Sequence, residues 1–217
     1  MVTLQKSTQD LICQSLRSRI ASGDLEPGTE LKQVELAKTY GVSRMPIREA
    51  LQLLATQGLV KLRPNKGAVV LGIDEKSIRD HFAVREILER EAAALAARPG
   101  SDLREVERVY AGMQECMAQH RYAEYKHYNE SFHMALWEAA GNPKMTQILA
   151  SLWNGLSLGF LVTETDYAKI SFFEHEQLME ALRAHDPERA RKLMDEHMKR
   201  SMDNILTNYR EQVGKKR

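Results

Sequence analysis

The chain has 217 residues, of which 43% are hydrophobic, with 31 Lys/Arg against 30 Asp/Glu and two cysteines. This mixture predicts one or two globular domains and excludes disordered and disulfide-rich classes. We find no apolar run long enough to span a membrane and no signal-peptide core in the first ten residues. Cys13 and Cys116 match no metal or disulfide spacing, so we expect a cytoplasmic protein.

The charge is distributed unevenly along the chain. Residues 1–72 carry ten Lys/Arg and six Asp/Glu, a net charge of +4, whereas residues 73–217 have a net charge of −3. A positive N-terminal half would suit the attraction of phosphates. A difference this small is also compatible with chance, so charge alone does not show that the N-terminal half binds nucleic acid.

The first 72 residues read as three helices and a hairpin. We predict helices over 4–22 and 31–40, a third that begins after Ser43, and strands over 60–63 and 68–71. The two strands would form a wing with a basic tip. This order is that of a winged helix-turn-helix domain.

The turn and the third helix carry the DNA-binding chemistry. Gly41 supplies the turn, Ser43 is placed to cap the helix with its hydroxyl, and Pro46 falls early, where its missing N–H costs little. Arg44 and Arg48 lie one turn apart, opposite an apolar face. An ordinary helical hairpin with exposed arginines is the alternative, but the wing that follows favours DNA recognition.

The rest of the chain shows no strand pattern. Asp74 is placed to cap the first helix, and the predicted helices cover 74–97, 103–119, 122–140, 145–163, 167–184 and 186–209. We therefore expect a mostly α protein with a winged helix-turn-helix domain, including a small two-stranded wing, over 1–72. An all-α bundle of six to seven helices would occupy 73–217.

Four residues in the bundle could bind a metal. Asn129 and His133 are one turn apart on one helix, and His175 and His197 lie on two later helices. Three imidazoles and one oxygen would suit Zn²⁺ or another first-row divalent ion. By spacing alone the metal site is the weaker interpretation, because isolated histidines on helices are more often surface or capping residues. The chain also has four competing histidines, His81, His120, His127 and His185.

The sequence resembles a known family at this point. The segments 20–28, 41–51, 57–60 and 64–67 are similar to the winged helix-turn-helix of GntR-type transcription regulators. The second half resembles the FCD-type ligand-binding domain of the FadR branch. The segments that carry this resemblance are Phe132-His133-Met134-Ala135-Leu136, Ala139-Ala140-Gly141-Asn142-Pro143, Glu174-His175 and His197.

For DNA binding, the resemblance implies that Arg44 and Arg48 contact bases and phosphates and that Gly67 lets the wing approach the minor groove. Ser43 suits a phosphate contact. Met45 stands where the family usually has threonine, so an apolar contact with a thymine methyl would replace a polar one. The predicted DNA-binding residues are Ser43, Arg44, Met45, Pro46, Arg48, Lys66 and Gly67.

For the bundle, the resemblance implies a metal bound by an Asp or Asn and three histidines, here Asn129, His133, His175 and His197. Zinc is the expected ion, with nickel or manganese as alternatives, and Asn129 is a neutral variant of the first ligand. In this family the metal commonly helps to bind a small carboxylate effector.

The effector pocket is predicted in less detail. Arg85 matches a family arginine that can face the cavity, and the alternative is a surface ion pair with Glu89. The stretch 151–158 lacks the arginines that the family often has there. We therefore expect a less charged or more aromatic effector, with Trp153 or Asn154 lining the pocket.

These features predict a ligand-responsive transcription regulator, a repressor that binds double-stranded operator DNA as a homodimer. One alternative is a DNA-binding protein whose helical domain only dimerises. A metal-dependent hydrolase is a further alternative, but the chain has no H-E-x-x-H motif, and neighbouring helix positions such as 174 and 175 point apart. We therefore predict that the protein is not an enzyme.

Overall fold

The computed structural model describes residues 7–64, 66–153 and 164–215. Within these ranges the chain forms nine helices and one three-stranded sheet. Contacts group the described residues into two compact units, and the boundary along the chain lies between Ser77 and Ile78. The mostly α fold class predicted from the sequence is confirmed.

The first unit is built around its third helix. Its elements are α1 Thr8–Ala21, β1 Glu30–Lys32, α2 Gln33–Tyr40, α3 Arg44–Thr56, β2 Val60–Arg63 and β3 Gly67–Val70. Both α1 and α2 pack on α3, which buries Ile47, Ala50, Leu51 and Leu54. Gly41 ends α2 in the left-handed region, with φ at 64°, where a side chain would be strained.

The sheet differs from the prediction in one respect. The strand order is β1-β3-β2 with both pairs antiparallel, so the wing hairpin gains a third strand at β3. Leu31 was predicted to begin a helix, and this prediction was wrong, because Leu31 lies in β1. Leu31 is a single apolar residue between polar neighbours, a pattern too short to separate a strand from a first helical turn, and its pairing with Ala68 decides the matter.

The second unit is all helical in its described part. Its helices are α4 Glu75–Ala96, which begins just before the boundary, α5 Arg104–Ala118, α6 Tyr122–Ala139, α7 Pro143–Trp153, α8 Glu164–Arg183 and α9 Pro187–Lys215. Asp74 caps α4 as predicted, because its Oδ1 accepts from the Ser77 backbone N–H at 2.7 Å. The helix predicted over 145–163 is described only as far as Trp153.

Helix α6 positions the interior of this unit. It packs on α5, α7 and α8, and α8 in turn packs on α9. Its buried face includes Asn129 and His133 among large apolar side chains, Tyr125, Phe132, Leu136 and Trp137. Among the helices that the structure describes, none is both long enough and apolar enough to cross a membrane.

Candidate functional site

The first candidate surface is the start of α3. Arg44, Met45 and Arg48 are all exposed, and Met45 retains 60% of its accessible surface. Ser43 is the N-cap residue, but its side chain makes no capping hydrogen bond, which corrects the prediction. The Ser43 hydroxyl is exposed instead, and Pro46 is half-buried beside it.

The wing adds further basic groups next to this helix. A groove of about 330 Å³ between the wing and the starts of α2 and α3 includes Arg44, Arg63 and Lys66 in its lining. Arg63 is paired with Glu30 across the sheet, with 2.5 Å between Nη1 and Oε1. Asn65 lies outside the described residues.

Gly67 has a role inside the sheet. It is buried with φ at 129°, and a Cβ at this position would lie 2.0 Å from the Leu31 carbonyl oxygen of β1. The close pairing of β1 with β3 therefore requires glycine here. The contact with DNA that the resemblance implies for Gly67 stays a prediction.

The second candidate site is a cluster of three buried histidines. His133 on α6, His175 on α8 and His197 on α9 each offer a ring nitrogen, and these atoms all lie within 4.8 Å of one another. The ring centroids are 4.8 to 5.3 Å apart. Three imidazoles brought this close match the nitrogen ligands of a divalent metal site.

Each of the three rings is held by a hydrogen bond at its Nδ1 atom. The His133 Nδ1 donates to Glu89 at 3.0 Å, the His197 Nδ1 donates to Glu174 at 2.6 Å, and the His175 Nδ1 is 3.1 Å from the Tyr125 hydroxyl. Partners of this kind fix the orientation of metal-binding imidazoles and leave Nε2 for the ion.

The opposite nitrogen of His175 supports the same conclusion. Its Nε2 is buried and has no hydrogen-bond partner, an arrangement that is costly unless a ligand completes it. Burial lowers the pKa of His175 well below its ordinary value, and burial lowers the pKa of His197 to about 4 although Glu174 opposes the shift. Both rings are therefore neutral near pH 7, which is the form that binds metals.

Asn129 is buried one turn before His133. Its Oδ1 accepts a hydrogen bond from the Ser171 hydroxyl at 3.2 Å. The amide oxygen is thus fixed by α8, and a second lone pair is available to a ligand.

Arg85 and Trp153 lie beside the histidines. Arg85 pairs with Glu89 at 2.6 Å, but both side chains are buried, so the surface ion pair considered from the sequence is wrong. The Arg85 guanidinium lies 4.6 Å from the Trp153 ring, and that ring lies 4.7 Å from His133. Asn154, the other predicted pocket residue, lies outside the described residues.

Four residues that contact the histidines were not predicted as site residues from the sequence: Glu89, Tyr125, Glu174 and Arg200. Glu89 was considered only as a surface partner of Arg85. Glu174 was set aside because it adjoins His175, yet it contacts His197 on another helix. Only Arg200 carried a local signal, because it lies one turn after His197 on α9.

The two units thus define a class of protein, a winged-helix DNA-binding unit joined to a helical unit with a buried histidine cluster. Comparison with known families agrees with this description. Residues 8–70 match the gntR family of bacterial regulatory proteins, and residues 80–200, more than half of the chain, match the FCD domain. The chain belongs to the GntR family of DNA-binding transcription regulators and carries an FCD domain.

Curated relatives fall in the same class. The gluconate operon transcriptional repressor of Bacillus subtilis is 43% identical over 83 residues, 38% of this chain and 34% of that protein. The chain therefore spans about a third of that repressor's length. The transcriptional regulator LutR of the same species is 28% identical over 89% of this chain and 98% of its own.

Solved structures share the fold. Escherichia coli McbR/YncC has a TM-score of 0.68 at 24% identity and covers 95% of this chain and 99% of its own. A putative GntR regulator from Rhodococcus has a TM-score of 0.65 at 22% identity and covers 93% and 99%. The relatives and the two matched domains are those of transcription regulators.

Proposed function

We propose that this protein is a repressor that binds operator DNA as a homodimer and is controlled by a small carboxylate bound near a metal in its helical unit. The observation that carries this proposal is the histidine cluster, in which three Nδ1 atoms are occupied and a buried Nε2 has no partner. A buried ring nitrogen without a partner is costly, and an ion bound beside the other two imidazoles would satisfy it.

The DNA-binding part of the proposal rests on exposure and charge. Arg44, Met45 and Arg48 are exposed at the start of α3, and Lys66 is exposed on the wing. Two recognition helices in a symmetric dimer would read a palindromic operator, each half by one α3. Ser43 and Pro46 complete this surface. The repressor role is drawn from the name of the gluconate operon relative.

The metal-binding part assigns His133, His175 and His197 as ligands, with the Asn129 amide oxygen as the fourth. Zinc suits this nitrogen-rich set, and nickel or manganese are alternatives. When bound, the metal would supply a positive site for one carboxylate oxygen of the effector. Arg85 and Trp153 would flank the remainder of the effector, and Asn154, the third residue predicted for the pocket, lies outside the described residues.

Metal loading tests the helical unit. Zinc added to chelator-treated protein should raise its melting temperature, because an ion that binds only the folded state stabilises it by mass action. His175→Ala should abolish this shift, and His127→Ala, which removes an exposed histidine outside the cluster, should retain it. A shift that survives His175→Ala would contradict the ligand assignment.

Operator release tests the regulatory role. DNA fragments bound by the protein can be selected from random sequence, and small organic acids can then be screened for weakened binding in the zinc-loaded protein. We expect at least one acid to weaken DNA binding in the wild type but not in His175→Ala. If the protein binds DNA but no metal and no acid, the helical unit only dimerises and the proposal is wrong.

A further inference from the structure

Arg200 has an unusual set of contacts beside the histidine cluster. Its Nε donates to Glu174 Oε1 at 2.7 Å, and its Nη2 donates to Oε2 of the same carboxylate at 2.5 Å. Its remaining nitrogen, Nη1, is buried and has no hydrogen-bond partner. A fixed guanidinium thus keeps one set of buried N–H donors unused.

The location of Arg200 links it to the proposed metal ligands. Glu174 Oε2, which accepts from Arg200, also accepts from His197 Nδ1. The Arg200 guanidinium lies over the ring of Tyr167, with 5.5 Å between Cζ and the ring centroid. Its Nη2 also lies 3.4 Å from His197 Nδ1. The guanidinium therefore faces the same interior as the cluster.

Arg85, which the sequence offered either for the effector pocket or for an ion pair with Glu89, is paired with that buried carboxylate. Its partner Glu89 is completely buried and also receives hydrogen bonds from His133 and Trp137. The Arg85 charge is needed to balance this carboxylate inside the unit. Arg85 is therefore held by this internal network and would flank the effector rather than bind its carboxylate.

We propose that Arg200 is the residue that binds the effector carboxylate through Nη1, and that Glu174 positions both Arg200 and His197 for this purpose. This inference rests on the proposed function and identifies the positively charged residue that binds the effector. An acceptor at Nη1 would relieve the cost of a buried, unpaired donor. A carboxylate suits this position because charge-assisted hydrogen bonds to guanidinium are strong. The ligand class is a small organic acid.

The test uses the full chain loaded with Co²⁺, whose visible absorption reports its ligands, and acetate as the probe acid. We expect Arg200→Gln to weaken acetate binding about tenfold to hundredfold and to leave Co²⁺ affinity within about twofold, since one charged hydrogen bond is lost. Arg189→Gln, on the same helix but 45% exposed and paired with Glu180, is the matched control and should bind both normally. Glu174→Gln should weaken both Co²⁺ and acetate.

The possible failures are distinguishable. If the wild type binds no Co²⁺, the proposed function itself is wrong. If Arg200→Gln binds acetate as the wild type does, or if the wild type binds Co²⁺ without acetate, the assignment of Arg200 is wrong while the metal site stands. If Arg200→Gln loses Co²⁺ as well, Arg200 acts only on the geometry of His197, and this result also overturns the inference.

Discussion

Glu89 is a completely buried carboxylate that receives hydrogen bonds from three side chains. Arg85 donates to Oε1 at 2.6 Å, and His133 and Trp137 donate to Oε2 at 3.0 and 2.8 Å. Burial by itself would raise the pKa of Glu89, but His133 and Arg85 outweigh it and hold that pKa below its ordinary value. Glu89 therefore remains charged and joins the Arg85 side chain to a proposed metal ligand.

Glu89→Gln should lower the free energy of unfolding by about 3–5 kcal/mol, because it leaves the Arg85 charge buried without its counterion. Urea denaturation of the metal-free protein measures this effect. Glu91→Gln on the same helix is the control, since Glu91 is 40% exposed and its pair with Arg191 should contribute less than about 1 kcal/mol. Equal losses in the two variants would contradict a special role for Glu89.

His81 provides a prediction about pH. Burial, assisted by the charge of Arg85, lowers the pKa of His81 to about 3 from an ordinary 6.5. As the pH falls, His81 is protonated in the unfolded chain before it is protonated in the folded chain. The free energy of unfolding therefore decreases as the pH falls from about 6.5 toward 3.

The free energy of unfolding of the wild type should decrease between pH 7.5 and pH 5. We expect His81→Gln to make this decrease smaller by up to about 2 kcal/mol. Unfolding in urea with a chelator present, at both pH values, gives the comparison without any metal contribution. His127→Gln, at an exposed position, should keep the wild-type difference. An unchanged pH dependence in His81→Gln would show that the ring is not buried in its neutral form.

At the scale of elements, the three-stranded sheet depends on one residue. Gly67→Ala should destabilise the first unit by more than about 1 kcal/mol, because it adds a clash with the Leu31 carbonyl to the strain of a positive φ. Gly41→Ala is the matched control, with a positive φ of 64° and open space around the added Cβ. Thermal unfolding of the two variants separates clash from strain, and similar melting temperatures would refute the close strand pairing.

Helix α3 is the element that we propose as the recognition helix for DNA. Helix α3 buries one face against α1 and α2 and exposes Arg44, Met45 and Arg48 on the other. The buried face fixes the helix, so the exposed side chains are held in a constant arrangement. This division would allow a small unit to be stable and still present side chains to base edges, as the proposed function requires.

At the scale of the whole molecule, a homodimer that contacts roughly 6–10 phosphates should lose about 10³–10⁵ in DNA affinity between 50 and 200 mM salt. Lys66→Ala should weaken binding to all sequences and reduce the salt dependence. Arg48→Ala should instead cost about 1–3 kcal/mol of discrimination between selected and scrambled DNA. Arg108→Ala, in the second unit, is the control. A DNA affinity that does not change with salt concentration would argue against the proposed DNA contacts.

Much of the fold could be predicted from local sequence because its signals act over a few residues. Gly41 ends α2, Asp74 caps α4, and apolar spacing fixes the inward face of α3. Strand β1 could not be predicted, since it is held only by backbone bonds to β3, more than thirty residues further along. Ser43 was predicted to cap α3 with its hydroxyl because serine is a common N-cap residue. Its side chain makes no capping hydrogen bond, so residue type alone was not sufficient for this prediction.

The sequence by itself determined the winged helix-turn-helix, the helical second half and the three histidines as candidate ligands. Only the tertiary structure decided that His133, His175 and His197 meet, because they lie on three helices whose packing no local pattern encodes. The same packing buried the Arg85–Glu89 pair and brought Glu174 to His197 rather than to its neighbour His175. Helix propensity and turn chemistry act within one element, whereas the site depends on contacts between side chains that are distant in the chain.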